Sequence, residues 1–190
     1  MTKSVSTGEP LVVRDYDPEW AHQFAQECDR IHQAIGYLFL SIDHVGSTSI
    51  PGLSAKPIID MQPVVQNFDC LSECVVGMQS LGYTYLGQYG IEGREYFKKP
   101  GFHVHVAMIN SDEYMRKRLF LAYLRQNKDA RDEYSNLKKG LAAKWHGEED
   151  AHKEYGLDKT EFIMGILAKA GWDTNIKPKY LLDREIQVNK

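Results

Sequence analysis

Residues 44–60 read HVGSTSIPGLSAKPIID, and this segment indicates both the fold and the working face of the chain. It begins with a small, hydroxyl-rich loop, Gly46–Ser49, which leaves one predicted strand. Pro51 and Gly52 then predict a type II turn, because proline fixes its own φ and glycine accepts the positive φ that this turn needs. Asp60 is the first charged residue of the next predicted strand. Small residues beside a lone carboxylate predict a site that holds phosphate and a metal ion.

The composition is that of an ordinary globular protein: 190 residues, of which 43% are hydrophobic and 26% are charged. The 23 basic and 26 acidic residues give a net charge of −3, so general nucleic-acid binding, which needs a basic excess, is not expected. Three cysteines without C-x-x-C spacing favour a reducing compartment. Because residues 1–10 lack an apolar leader and no run is long enough to cross a bilayer, we expect a cytoplasmic protein without membrane contacts.

Hydrophobic periodicity predicts an α+β protein, with a mixed sheet and helices first and a helical region afterwards. Alternation with period two predicts strands at 37–45, 57–65, 83–88, 94–98 and 102–109, with a further short edge strand considered at 11–14. Spacing near 3.6 predicts helices that begin at Asp17-Pro18, Asp69, Asp112, Asp129 and Asp158. Glu161 gives the last of these the spacing of a capping box.

Strand alternation also predicts a cluster of metal-binding side chains. Asp60 and Gln62 share one face of their strand, and His103 and His105 share one face of the strand at 102–109. The two histidines could bind a metal ion with Asp60 as third ligand. Two surface histidines, or two hydrogen-bond donors to a substrate, fit the same pattern.

Several cationic residues are candidates for contact with an anionic substrate. Arg94 and Lys98 alternate along one strand face, and arginine can grip a phosphate or carboxylate with two hydrogen bonds. Lys56 lies just before a proline, and Lys159 lies in the helical region beside Tyr155. A solvated surface position is the alternative for each of them. The predicted phosphate-binding set is Gly46, Ser47, Ser49, Lys56, Arg94, Lys98 and Lys159.

These motifs together resemble the GrpB family. They are HVGSTSIPGL-x-AKPIIDM, GIEGREYF, HVHV, and the helical segments at 120–124 and 155–162. The family is grouped with the nucleotidyltransferase superfamily, which has the polymerase-β-like fold, and it also occurs fused to dephospho-CoA kinase. The resemblance implies one domain over 11–172 with a mixed β-sheet flanked by helices and a helical C-terminal region. A flexible tail at 1–10 and a C-terminal tail at 173–190 would flank it.

The resemblance to the superfamily's active site is partial. Gly46 and Ser47 match its Gly-Ser turn, and Asp60 matches its first acid. Active members usually carry a second acid two positions later, where this chain has Gln62, and a third on a later strand, where this chain has the HVHV motif. The family's usual Arg-Asp pair in the helix near residue 120 is Leu121-Ala122 here.

We therefore predict a nucleotidyltransferase-like protein that transfers a nucleotidyl or phosphoryl group to a small molecule. Asp60 would be the catalytic residue and would hold Mg²⁺, with His103 and His105 as further metal ligands; another divalent metal is left open. The partner would be a nucleotide or a phosphorylated small molecule. Two alternatives remain: a non-catalytic module that binds a nucleotide or coenzyme A precursor, and a hydrolase whose metal is held by the same three residues.

Overall fold

A five-stranded mixed sheet lies at the centre of the computed structural model, which describes residues 11–148 and 150–173. Its strands are β1 (Ser41–Val45), β2 (Ile59–Val65), β3 (Thr84–Tyr85), β4 (Arg94–Lys99) and β5 (Phe102–Met108). The strands lie in the order β1-β2-β5-β4-β3. Strands β2 and β5 are parallel, whereas every other neighbouring pair is antiparallel. This arrangement confirms the predicted mixed sheet.

Helices flank the sheet and form the C-terminal part of the fold, which confirms the α+β class. They are α1 (Glu19–Ile35), α2 (Leu71–Ser80), α3 (Asp112–Gln126), α4 (Lys128–Lys144), α5 (Ala151–Asp158) and α6 (Thr160–Lys169). We call α3–α6 the helical cover. Within the described ranges, no helix combines the length and the apolar character needed to cross a membrane. The predicted tails at 1–10 and 173–190 lie outside the described residues, apart from Asp173.

One hydrophobic core lies between the sheet and the helices α1 and α2. Ile59 and Met61 of β2 and Val104 of β5 point into it and are almost completely buried. Because side chains alternate along a strand, the residues between them face the opposite side of the sheet. Trp20 and Ile31 of α1 are buried in the same core.

A second core joins the segment between β1 and β2 to the helical cover. Ile50 and Leu53 are completely buried there. They pack in one cluster with Leu121, Leu124 and Ile166 of the cover. The loop that follows β1 is thus anchored on the helical side, and a cleft forms between the polar face of the sheet and the cover.

Four predicted strands are shorter in the structure, two of them by only one or two residues and two by four residues. The segment predicted at 37–45 begins with a 3₁₀ turn at Gly36–Leu38, and β1 starts only at Ser41. The segment predicted at 83–88 keeps only Thr84 and Tyr85 as a strand, although Leu86 N and Gly87 O still form backbone hydrogen bonds with Tyr96. Gly87 has a φ of +63°, which is incompatible with an extended chain. Near the chain start, Arg14 forms an isolated bridge to Ala55 instead of an edge strand.

The predicted capping box at Asp158 is wrong. Asp158 is the last residue of α5, a helix that the sequence pattern did not separate from its neighbours. Its carboxylate accepts hydrogen bonds from Trp145 Nε1 at 2.9 Å and from Lys144 Nζ at 2.8 Å. The side chain therefore ties the end of α4 to α5, and α6 begins without a side-chain cap.

Candidate metal and phosphate site

Residues 46–49 form the turn that leads from β1 toward the cleft, and their hydroxyl groups stabilise it. Gly46 has a φ of +70°, and a Cβ atom there would lie 2.3 Å from Asp60 Oδ2. Ser49 Oγ donates to Gly46 O at 2.8 Å, and Thr48 Oγ1 donates to Ile58 O at 3.2 Å. Only glycine permits both this conformation and the close approach of the carboxylate.

Asp60, His103 and His105 meet on the polar face of the sheet, as the strand alternation predicted. Strands β2 and β5 are neighbours, with Asp60 opposite His103. His105 Nε2 lies 3.1 Å from Asp60 Oδ1, and His103 Nδ1 lies 3.7 Å from the same oxygen. One potential ligand atom from each residue falls within 4.8 Å of the other two. We call these three residues the metal triad.

The protonation states in this triad suit metal binding. Burial alone would raise the pKa of Asp60, yet its contacts with His103 and His105 outweigh burial and hold that pKa well below its usual range. Burial, with a smaller effect from Lys117, lowers the pKa of His105 to about 4, although Asp60 opposes the shift. At neutral pH the triad therefore offers a carboxylate and a neutral imidazole, which are the forms that bind metals.

Arg94 lies behind His105. Its Nη1 is 3.5 Å from His105 Nδ1, and its Nη2 donates to two backbone carbonyl oxygens of the preceding loop, at 3.0 and 3.1 Å. Because a guanidinium only donates, His105 Nδ1 accepts, so Nε2 carries the ring proton and donates it to Asp60. A metal ion at Nε2 would require that proton to lie on Nδ1 instead. The Tyr96 ring stacks on His105 with centroids 5.0 Å apart. Arg94 thus contacts a member of the triad, whereas the sequence prediction assigned it to the substrate.

A cavity of about 210 Å³ opens beside the triad, between the sheet and the helical cover. Asp60 and His103 form part of its wall. Three lysines, Lys56, Lys138 and Lys159, line it as well. Its remaining lining residues are Ser47, Thr48, Ala55, Ile58 and Tyr155. Among the described residues that line this cavity, Asp60 is the sole carboxylate.

Lys138 is the most unusual of the three lysines. It lies in the middle of α4 with 1% of its surface exposed. Its Nζ makes no hydrogen bond within the described part of the chain, and it lies 4.4 Å from the centroid of the Tyr134 ring. Burial, and next the charge of Lys159, lower its pKa to about 6.

Lys159 and Lys56 share the ring of Tyr155. Their Nζ atoms lie 4.2 and 5.4 Å from its centroid. Burial, and next the charge of Lys56, lower the pKa of Lys159 to about 7, while Asp60 opposes the shift. Two of the three lysines in this cavity therefore have depressed pKa values.

The structure brings most of the predicted site residues to one place. Ser47, Lys56, Asp60, His103 and Lys159 line the cavity, and His105 joins them through Asp60. Gly46 lies directly behind the carboxylate. The other predicted residues lie elsewhere: Ser49 Oγ accepts from Arg125, Lys98 is exposed on β4, and Arg94 lies behind His105.

Lys138 is the main residue that the sequence prediction missed. It follows Tyr134 by four positions, so both belong to one face of α4. Tyr134 is buried, so a lysine four positions later on the same helix face was the available signal. Lysines at such positions usually extend their long side chains to solvent, so the sequence alone does not predict that Lys138 is buried.

Gln62 is buried on the same face of β2 as Asp60. Neither polar atom of its side-chain amide has a hydrogen-bond partner among the described residues. Gln62 also lies where the pairing of β2 with β5 is interrupted: the paired residues stop at Met61 and resume at Val64, beside Pro63, which lacks an N–H. A buried, unsatisfied amide two residues from Asp60 is suited to hold a water molecule or a ligand atom.

These features define an α+β protein whose sheet carries one aspartate and two histidines beside a lysine-lined cavity. The profile of the family described as "GrpB protein" matches residues 10–169, so the chain belongs to the GrpB family. The crystal structure of GrpB from Enterococcus faecalis is 32% identical, with a TM-score of 0.74, over 85% of this chain and 100% of that one.

Two curated relatives extend the comparison. The UPF0157 protein YqkA of Bacillus subtilis is 39% identical over 152 residues, which cover 78% of this chain and 43% of YqkA. This chain therefore spans less than half the length of that relative. A dephospho-CoA kinase of Mycolicibacterium paratuberculosis is 38% identical over 73 residues, which cover 37% of this chain and 18% of the kinase.

Proposed function

We propose that the protein is a metal-dependent enzyme that transfers a nucleotidyl or phosphoryl group from a nucleotide, or another phosphorylated small molecule, to a small-molecule acceptor. One observation carries this proposal: the triad of Asp60, His103 and His105 borders a cavity whose wall also carries three lysines. Charge neutralisation by a metal and by cationic side chains is what phosphoryl transfer requires of a protein. The motif resemblance to nucleotidyltransferases supports the same chemistry.

The donor set indicates which metal to expect. Asp60, His103 and His105 would hold it with one carboxylate oxygen and two imidazole nitrogens. Mg²⁺ prefers oxygen ligands, whereas imidazole suits Zn²⁺, Mn²⁺ and their neighbours. We therefore propose Mn²⁺ or Zn²⁺ ahead of the Mg²⁺ expected from the superfamily resemblance. Bound there, the ion would supply positive charge to a phosphoryl oxygen of the substrate.

A second cavity favours transfer to an acceptor over hydrolysis. It measures about 250 Å³ and shares Lys56 and Ile58 with the first. Val12, Pro57 and Gly101 give it an apolar part, and Arg14 and His152 add polar groups. An acceptor with an apolar body and an acidic group fits this lining. The partial likeness to dephospho-CoA kinase is the reason to include coenzyme A precursors among the acceptors tested.

Two alternatives use the same site. Gln62 replaces the second acid of active nucleotidyltransferases, which favours a module that binds its ligand without transfer. The donor set of two histidines and one aspartate favours a hydrolase, in which water takes the place of the acceptor. Transfer and hydrolysis give different products and the binding module gives none, so one assay separates the three functions.

The test uses purified protein stripped of metal on a chelating resin. Nucleoside triphosphates and coenzyme A precursors are added with Mn²⁺, Zn²⁺ or Mg²⁺, and thermal unfolding and ³¹P NMR are recorded. A true ligand at about 100 times its Kd stabilises the fold by about 2.7 kcal/mol. We expect a nucleotide whose binding needs the metal, and a new phosphate ester once the acceptor is present.

The Asp60→Asn variant provides the decisive comparison. We expect it to lose metal binding and turnover, because it removes the charged ligand of the triad. Asp132→Asn, an exposed aspartate of α4, is the matched control and keeps both. Metal-dependent turnover that persists in Asp60→Asn contradicts the proposal. Tight binding without product supports the module, and release of phosphate without an acceptor supports the hydrolase.

We also propose that the protein works in the cytoplasm. The support is that Cys28, Cys70 and Cys74 are all free thiols in the structure. Such thiols persist in a reducing compartment. Cell fractionation with an antibody against the chain tests this proposal.

A further inference from the structure

We infer that Lys56, Lys138 and Lys159 form an anion site that binds the phosphate end of the substrate without help from a metal ion. The substrate would then be a phosphate ester whose terminal group carries at least two negative charges. This inference deepens the proposed function and rests on it for the identity of the substrate. The anion site itself is inferred from the positions of the three lysines and from the buried Nζ of Lys138.

The three lysines reach the cavity from separate parts of the chain. Lys56 belongs to the loop before β2, Lys138 to the middle of α4, and Lys159 to the junction of α5 and α6. Like charges gathered in a low-dielectric cavity repel one another. Asp60, the sole carboxylate among the described lining residues, is already in contact with the two histidines. Lys138 and Lys159 therefore lie close together with their pKa values lowered, and an entering anion would favour the protonated form of both.

Lys138 gives independent support. An ammonium group that is buried without a hydrogen-bond partner is unfavourable, and an apolar side chain of similar size would stabilise that position. The ring of Tyr134 offers only a cation–π contact. A phosphate oxygen in the cavity would supply the missing acceptor. The lowered pKa values of Lys138 and Lys159 agree with this, because burial disfavours their ammonium forms and an anion in the cavity would stabilise the charge.

The size of the cavity limits what part of the substrate enters it. Sites for whole small molecules usually measure roughly 300–1,000 Å³, whereas this cavity measures about 210 Å³. A terminal phosphate or a diphosphate fits, and a complete nucleotide does not. The remainder of the donor would lie outside this cavity, and the second cavity, which shares Lys56 and Ile58 with it, is left for the acceptor. The metal triad then lies beside the phosphate groups and not beside the base.

Inorganic pyrophosphate is the probe for this site. Its binding is measured by isothermal titration calorimetry with full-length, metal-stripped protein in resin-treated buffer. We expect wild type to bind and Lys138→Met to bind at least about tenfold more weakly. Lys139→Met is the matched control: Lys139 neighbours Lys138 on α4, is half exposed and pairs with Asp15. It should bind pyrophosphate as wild type does.

Further variants keep the test decisive. Lys138→Met should unfold at a temperature no lower than wild type, since it removes a buried charge. If it does not fold, Lys159→Met at a partly exposed position must show the same loss of binding. No binding by metal-stripped wild type, or equal binding by wild type and the lysine variants, overturns the inference. Asp60→Asn separates the two proposals. If it binds pyrophosphate but has no turnover, both proposals are supported. If it keeps turnover while the lysine variants still bind pyrophosphate weakly, only the proposed function is refuted.

Discussion

Gly46 couples the backbone of the loop to the position of the Asp60 carboxylate. Alanine at this position would force its Cβ to within 2.3 Å of Asp60 Oδ2 and would also have to adopt a φ of +70°. We expect Gly46→Ala to weaken metal binding by about 10- to 100-fold, as loss of a supporting contact does. The backbone strain should also lower the free energy of unfolding by more than about 1 kcal/mol.

Gly82→Ala is the control for that variant. Gly82 has a φ of +86°, yet no atom lies within 4 Å of its Cβ position. It should lose a similar amount of stability and keep its metal affinity, measured by urea unfolding and metal titration. Equal metal affinity in wild type and Gly46→Ala would show that the carboxylate can move without consequence.

Lys138 makes the stability of the fold depend on pH. Its pKa falls from 10.5 to about 6 in the folded chain, mainly through burial and next through Lys159. Between these two pH values the unfolded chain binds more protons than the folded one at this residue, so stability rises with pH. Lys138→Met lacks this effect. It should exceed wild type in stability by roughly 1–4 kcal/mol at pH 6 and lose the advantage toward pH 10.5.

Urea unfolding of both proteins at pH 6 and pH 9 checks this prediction. Lys139→Met should track wild type at both pH values, because Lys139 is half exposed. The same difference between Lys138→Met and wild type at both pH values would mean that Lys138 stays charged in the folded chain. Lys159 and the Tyr134 ring are the groups known to face Lys138, and the variant leaves both in place.

The residues of the site differ in how far the sequence could predict them. Asp60, His103 and His105 were predicted to converge, because strand alternation is strict and fixes which side chains share a face. Ser49 and Arg94 have the right chemistry for phosphate, but their contacts depend on the path of the loops around them. Lys138 could not be assigned, since its burial depends on how the cover packs on the sheet.

At the scale of elements, α2 packs on the end of α1 through a glycine. A Cβ at Gly77 would lie 2.3 Å from Ile35 Cγ2, and Ile35 is buried and cannot move aside. We expect Gly77→Ala to destabilise the protein in urea unfolding, although alanine is the better helix former by about 1 kcal/mol. Gly140→Ala, in α4 with nothing near its Cβ, should instead stabilise by up to that amount. A stabilised Gly77→Ala would mean that α2 shifts freely.

The ends of elements were harder to predict than their existence. Asp158 and Glu161 have the spacing of a capping box, but Trp145 and Lys144 take the Asp158 carboxylate. The spacing was therefore that of a capping box, but the carboxylate bonds to α4 instead of capping α6. The strand predicted at 83–88 exists as the shorter β3, and the positive φ of Gly87 is a local reason for its early end.

At the scale of the molecule, the α+β class followed from the change of period along the sequence. The order of the sheet did not, because β2 and β5 are far apart in the chain and pair in parallel. That pairing is what brings Asp60 to the two histidines. The two cores, one under α1 and α2 and one under the helical cover, leave the polar face of the sheet between them.

The division of the site between sheet and cover has a consequence for how such a protein can diversify. All three residues of the triad come from the adjacent strands β2 and β5, whereas Lys138 and Lys159 come from the cover. Under the proposed function, substitutions in α4 or near α6 would alter which anion is accepted without disturbing Asp60, His103 and His105. Descendants of one ancestral chain could thus exchange substrates while inheriting the same metal chemistry.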